Sequence, residues 1–153
     1  MQRRKIGFIS CSKSKKEGTY KAEELYDSSL FKAALNYCKK NYDEVYILSA
    51  KFGILELSDE IDNYDETLVG ASQLDIKRWS NKVLLQLRDR YKKKQISSSD
   101  KFYFHTGKNY YKYLRPKIPN TCIFPIEEDK NIPRASIGFR MAWYKKEAES
   151  GSN

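Results

Sequence analysis

Histidine and cysteine are scarce in this chain, long apolar runs are missing, and no internal repeat or low-complexity tract is visible. A single histidine and three cysteines without close ligand spacing argue against a structural zinc site. No metal and no cofactor is expected. No apolar stretch approaches the roughly 18 residues that a membrane-spanning helix needs. The N-terminus, Met1-Gln2-Arg3-Arg4-Lys5, is basic, but the apolar run after it is short and turns polar too soon for a signal peptide. The expectation is a cytoplasmic protein with no membrane partner. The nearest thing to a linker, Ser97-Ser98-Ser99-Asp100, is too short to separate domains.

What is present is a dense stock of core-forming residues. Aromatics make up 14% of 153 residues and include twelve tyrosines, a load that disordered chains do not carry. The length fits one domain that buries about two-thirds of its unfolded surface. The net charge of +9 favours a polyanionic partner. Basic residues crowd the segment from Arg3 to Lys16, which adds weight to nucleic acid or a nucleotide. Lys92-Lys93-Lys94 is read first as helix chemistry, because cations suit a helix C-terminus.

Four apolar runs read as strands: 6–9, 44–49, 102–105 and 121–124. Between them lie helical patterns. Ser28 or Ser29 can cap a helix to about Asn41, with Phe31, Leu35, Cys38 and Tyr42 at helical spacing. A long helix is expected from Ser72 to Lys94, carrying Ile76, Trp79, Val83, Leu87 and Tyr91 on one face. Gly107 opens a short helix with Tyr110, Tyr111 and Leu114, and a last helix spans Ile137 to Ala148 with Ile137, Met141 and Tyr144 inward. The acidic stretch from Asp59 to Glu66 shows no clear period. Alternating strands and helices predict a single three-layer α/β domain, residues 1–148, around a four-stranded mostly parallel sheet, with a disordered tail at 149–153.

Ligands of open parallel sheets bind beyond the carboxyl ends of the strands. Two strands here run directly into small polar residues and lysine. The first leads into Cys11, Ser12 and Ser14 interleaved with Lys13, Lys15 and Lys16, the second into Ser49-Ala50-Lys51-Phe52-Gly53. Such loops can cradle phosphate through backbone N–H groups and ammonium. The first is not a Walker loop, since the glycine spacing and Gly-Lys-Ser/Thr ending are absent. Small Ser49 and Ala50 allow a ligand near the backbone, and Gly53 permits a conformation other residues resist. The alternatives are a solvated turn and an ordinary strand-to-loop transition.

Further candidates lie on the same rim. Asp65 offers a carboxylate to activate water or offset cationic charge at a glycosidic bond. His105, at a strand end, could assist proton transfer or hydrogen-bond a leaving base. The N–H groups after Gly107 could receive phosphate, and Tyr20, Tyr26, Tyr64 and Tyr110 could stack on a base. Lysines beside Cys11 favour its thiolate, which keeps a redox-sensor reading open; Cys38 and Cys122 read as buried in a helix and a strand.

As a set these segments resemble the YaaA-like family of small bacterial and phage proteins, named after a peroxide-stress protein. The matching pieces are Cys11-Ser12-x-x-Lys15, Leu25-Tyr26-x-Ser28-x-x-Phe31, Leu48-Ser49-Ala50-Lys51-x-Gly53, Tyr64-Asp65-x-Thr67-Leu68, Gly107-x-x-Tyr110 and Ile137-Gly138-x-x-x-x-Trp143. The resemblance runs from Ile6 to about Lys146. Its Cys-Ser-x-x-Lys element is also similar to one in archaeosine-synthesis enzymes, within a group whose fold is like uracil-DNA glycosylase. That implies a four-stranded parallel sheet and the handling of a base or nucleotide. The glycosylases' Gly-Gln-Asp-Pro-Tyr motif is absent, as is their histidine-bearing loop.

The leading expectation is an enzyme acting on the N-glycosidic bond of a base or nucleotide in nucleic acid. Lys15 and Lys51 would hold phosphate or the departing base, Asp65 would position water, and Tyr26 or Tyr64 would stack. Ser12, Ser28 and Ser49 would orient the ligand, and a lysine could replace water as nucleophile. The alternative is a non-catalytic nucleic-acid- or nucleotide-binding protein of stress or defence.

Overall fold

The computed structural model describes residues 3–128 and 137–150. In chain order the elements are β1 (Lys5–Ser10), β2 (Thr19–Lys21), α1 (Ala22–Leu25), α2 (Ser29–Asn41), β3 (Glu44–Ser49), β4 (Gly53–Glu56) and β5 (Glu60–Asp62). Then come α3 (Gln73–Lys92), β6 (Lys101–His105), α4 (Lys108–Tyr111), a 3-10 turn (Arg115–Lys117), β7 (Cys122–Ile123), α5 (Pro125–Glu128) and α6 (Ile137–Ser150).

The central sheet has five strands in the order β4-β3-β1-β6-β7, one more than the apolar runs predict. The four expected strands are all there and run parallel; the fifth, β4, folds back antiparallel on β3 with Ser49 opposite Gly53. A four-residue strand directly after a turn gives too short a pattern to separate from loop, which is why it has no clear signal in the sequence. A second, two-stranded sheet pairs β2 with β5 antiparallel. The stretch from Asp59 to Glu66 without a clear period is therefore partly strand.

Period-two alternation splits the core into two halves. Ile6 and Phe8 of β1, with Phe102 and Phe104 of β6, face Trp79, Val83 and Leu87 of α3 and Tyr110, Tyr111 and Leu114 around α4. Ile9 of β1, with Val45 and Ile47 of β3, faces Phe31, Leu35 and Cys38 of α2 and Trp143 and Tyr144 of α6. Helices thus cover both faces of the sheet. Full burial of one such phenylalanine or leucine side chain contributes about 1.5–3 kcal/mol. Gly7 is needed on the α2 side because a Cβ there would run into the Tyr42 ring.

The helix boundaries follow their caps. Ser28 accepts from Phe31 N–H at 3.1 Å and Ser72 from Asp75 N–H at 3.1 Å. α6 continues to Ser150, two residues past the expected end, while residues 151–153 of the expected tail lie outside the described residues. Among the described side chains of α6, Trp143 and Tyr144 are buried and Met141 is half-buried; the Ile137 side chain lies outside the described set. Cys38 is buried as expected, but Cys122, in the edge strand β7, is only half-buried. No helix among the described residues is long and apolar enough to cross a membrane.

Candidate functional site at the carboxyl ends of the strands

The sheet changes direction at β1: the chain passes from β1 to β3 on one side and returns to β6 on the other. This is the switch point where α/β sheets open a crevice at their carboxyl ends. The lysine-bearing loop after β1 is held over it by backbone pairing. Lys16 N–H donates to Leu25 O at 2.9 Å, Asp27 N–H to Ser14 O at 2.8 Å, and Lys15 bridges Tyr26. On its far side Gly18, at φ +110°, exchanges hydrogen bonds with Asn63. The loop backbone is therefore pinned by its own pairing, while Lys13, Ser14 and Lys16 stay exposed and Lys15 is half-buried.

At the strand ends Cys11 N–H bonds Leu48 O at 2.9 Å, joining β1 and β3. The Cys11 thiol is half-buried, accepts from Ala50 N–H at 3.4 Å and lies 3.3 Å from the Tyr110 hydroxyl. Trp79, which the sequence marks only as helix core, donates its indole N–H to Ser49 O at 2.8 Å and packs edge-on against Tyr110.

Ser49 starts a proton chain whose direction is fixed. Its Oγ accepts from the backbone N–H groups of Lys51 (3.2 Å) and Phe52 (3.0 Å), which occupies both lone pairs. The Ser49 hydroxyl must then donate to Tyr64 (2.7 Å), and Tyr64 donates in turn to Tyr26 (2.6 Å). Burial pushes the Tyr26 phenol up to about 12, against a smaller lowering by the Tyr64 hydroxyl. Burial, with Cys11 nearby, raises Tyr64 and Tyr110 as well. All three phenols stay protonated at neutral pH and serve as hydrogen-bonding groups rather than bases.

Cations lie over this chain. The Lys15 ammonium sits 4.3 Å from the centre of the Tyr64 ring and gives one proton to Lys13 O at 3.3 Å. An ammonium has three protons, so two remain for an anion. Lys51 is exposed, with its ammonium 5.3 Å from the Phe52 ring, and Phe52 packs edge-on against Tyr64. The two lysines thus meet on one aromatic pair, each contact worth about 0.5–2 kcal/mol.

The structure gathers Cys11, Lys15, Tyr26, Ser49, Ala50, Tyr64 and Tyr110 as the sequence predicts, but it corrects several roles. Tyr26, Tyr64 and Tyr110 are buried and cannot stack on a base; Tyr26 packs on Phe31 instead. Their rings belong to the core, and only their hydroxyls belong to the site. Gly53, at φ +74°, lies beneath Gln86, whose amide clamps Phe52 O and Ile54 N–H, so it shapes the β3–β4 turn and offers a ligand nothing. Ser28 caps α2, its Oγ accepting from Phe31 N–H. Ser12 gives its proton to Ser14 O at 2.6 Å within the loop. Gly107 precedes a helix of only one turn.

His105 is the largest correction. It ends β6 on the α2 side, buried among Tyr37, Tyr42, Trp143 and Tyr144. The Tyr42 hydroxyl lies 2.6 Å from Nε2 and the Tyr144 hydroxyl 2.9 Å from Nδ1. A neutral imidazole has one donor and one acceptor nitrogen, so two phenols satisfy it completely. Burial, with the Arg140 charge adding to it, holds the ring down to about 3. Neither nitrogen is left for acid–base work at a bond. Asp65 follows Tyr64 directly and is exposed.

Fold and rim together define an α/β protein with a polar, lysine-bearing rim at the carboxyl ends of its parallel strands. The chain belongs to the family of unknown function DUF6884, whose model matches residues 6–146. No curated protein and no solved structure matches it.

Proposed function

We propose that this protein acts on the N-glycosidic bond of a base or nucleotide carried in nucleic acid, with the crevice at the ends of β1 and β3 as its site. The observation that carries this reading is the Lys15 ammonium on the Tyr64 ring, with protons to spare for a phosphate. Lys51 supplies a second charge. Asp65 takes a proton from water, the water oxygen bonds to the sugar carbon, and the base departs with the glycosidic electron pair. Ser49, Tyr64 and Tyr26 hold the aromatic platform rather than contacting the base by their faces.

The relation to YaaA-like proteins and to glycosylase-like folds is part of the same reading, supported by the shared motifs and the four parallel strands. A second reading, binding of a nucleotide or nucleic acid without catalysis, is favoured by the exposure of Asp65, which nothing described holds in place.

Incubation with modified and unmodified DNA, RNA and free nucleotides, followed by mass spectrometry, separates the two. The enzyme reading expects a released base, and at least a roughly hundredfold slower release from Asp65→Asn with binding retained, since general acid–base groups contribute about 10²–10⁴-fold. Binding without any released base selects the second reading. Release from Asp65→Asn at the parent rate removes Asp65 from catalysis.

A further inference from the structure

Thr106, the first residue past β6, is only 6% exposed, yet its hydroxyl oxygen makes no hydrogen bond. Buried polar groups are nearly always paired, so an unpaired one calls for a cause. Two other buried side-chain atoms share this state among the described residues, Ser80 Oγ and Arg90 Nε, and both lie on α3. A helical serine has the carbonyl four residues back within a rotamer's reach. Arg90 uses a different nitrogen to bond Gln86 O and lays its plane over Tyr46. Thr106 stands outside any helix, in the bend between β6 and α4, and its hydroxyl has not taken up a bond to the neighbouring backbone either.

Its position is informative. The parallel register pairs Ile9 with His105, which sets Thr106 beside Ser10 at the switch point between β1 and β6. Phe102 and Phe104 face α3, and His105 faces α2. Alternation along the strand therefore returns Thr106 to the α3 and α4 side, where Tyr110 reaches Cys11. The residue after it, Gly107, would carry a Cβ with nothing within 4 Å.

We infer that Thr106 Oγ1 is the group that reads the base, hydrogen-bonding the polar edge of a nucleobase while Lys15 and Lys51 hold its phosphate. The inference rests on the nucleotide reading above and adds the recognition group that reading lacks. A hydroxyl both donates and accepts, so it suits the carbonyl, ring-nitrogen and amino groups that bases present at their edges.

The test compares Thr106→Val, which keeps the shape and loses the hydroxyl, with Thr106→Ser, which keeps the hydroxyl. Each is melted alone and titrated with the four deoxynucleoside 5′-monophosphates, a single-stranded DNA and inorganic phosphate. Thr106→Val is expected to melt at or above the parent temperature, since it removes an unpaired buried group. It should bind its best monophosphate about tenfold more weakly, one hydrogen bond's worth, with phosphate binding unchanged and Thr106→Ser close to the parent. A Thr106→Val protein that melts several degrees lower means the hydroxyl is already bonded, and the inference falls. Undiminished monophosphate binding overturns it equally and leaves the nucleotide reading standing. A parent chain that binds neither monophosphate nor DNA overturns both.

Discussion

Two buried tyrosine networks stand on the α2 side of the sheet, one joining Ser49, Tyr64 and Tyr26, the other joining Tyr42, His105 and Tyr144. Both are built from phenols whose acidity burial suppresses. They differ in what they leave over. Around His105 each ring nitrogen meets one phenol, and the network closes on a neutral imidazole. Around Ser49 two backbone N–H groups force the protons in one direction, and a lysine with unused donors lies on the ring at the middle. Counting protons, rather than noting residue types, separates a scaffold from a site.

Acid should break the closed network first and with the largest effect. His105 is held at about 3 in the folded chain, while an unfolded histidine titrates near 6.5. Because the folded value is depressed, the contribution is fully present above about pH 6.5 and is lost as pH falls toward 3. The slope rises toward about 1.4 kcal/mol per pH unit below pH 6.5, so about 2.3 kcal/mol goes between pH 6.5 and 4.5. Asp27, kept below its usual value by Lys32, adds its own loss only at lower pH. With one histidine in the chain, its ring proton resonance can be followed beside urea midpoints from about pH 7.5 to 4.5. A midpoint flat across that range would mean His105 can take up a proton without disturbing its two phenols.

A smaller effect is expected from cutting the open network. Tyr64→Phe strands the proton of Ser49 and removes the donor to Tyr26, two buried hydrogen bonds at once, for about 2 kcal/mol of stability. The same change leaves the aromatic ring under Lys15. Chemical denaturation of Tyr64→Phe and Tyr26→Phe checks which hydroxyl bridges: Tyr26 makes one of these bonds and Tyr64 both, so loss of the Tyr26 hydroxyl should cost less, about 1 kcal/mol. Equal costs would mean that Tyr64 does not bridge Ser49 and Tyr26.

The sheet and its rim are legible in the sequence for a physical reason. Buried parallel strands are continuous apolar runs, and the polar residues that end them mark where the crevice opens. The helix caps at Ser28 and Ser72 can be read for the same local reason. What stays hidden depends on distant partners. His105 looks identical in sequence whether it meets solvent or two phenols that lie 63 and 39 positions away. Gly53 reads as a ligand-facing glycine until Gln86, on another element, is found above it. Thr106 carries no signal beyond being polar at a strand end, and its unpaired state exists only in three dimensions.

Ser28 tests where the open network stops. It lies two residues after Tyr26, close enough in sequence to be assigned to the same ligand. Its Oγ is already engaged with Phe31 N–H, and α2 needs that bond because its first turn has donors with no partner inside the helix. Replacing it by alanine should cost about 1 kcal/mol, the usual worth of an N-cap, and replacement by aspartate should restore most of that. Nucleotide binding should follow neither change, since the cap hydroxyl faces the helix backbone. Parallel melting and titration of Ser28→Ala and Ser28→Asp decide the matter: a loss of affinity in Ser28→Ala that Ser28→Asp does not recover would extend the site onto α2. Unchanged affinity in both would confine it to the ends of β1, β3 and β6.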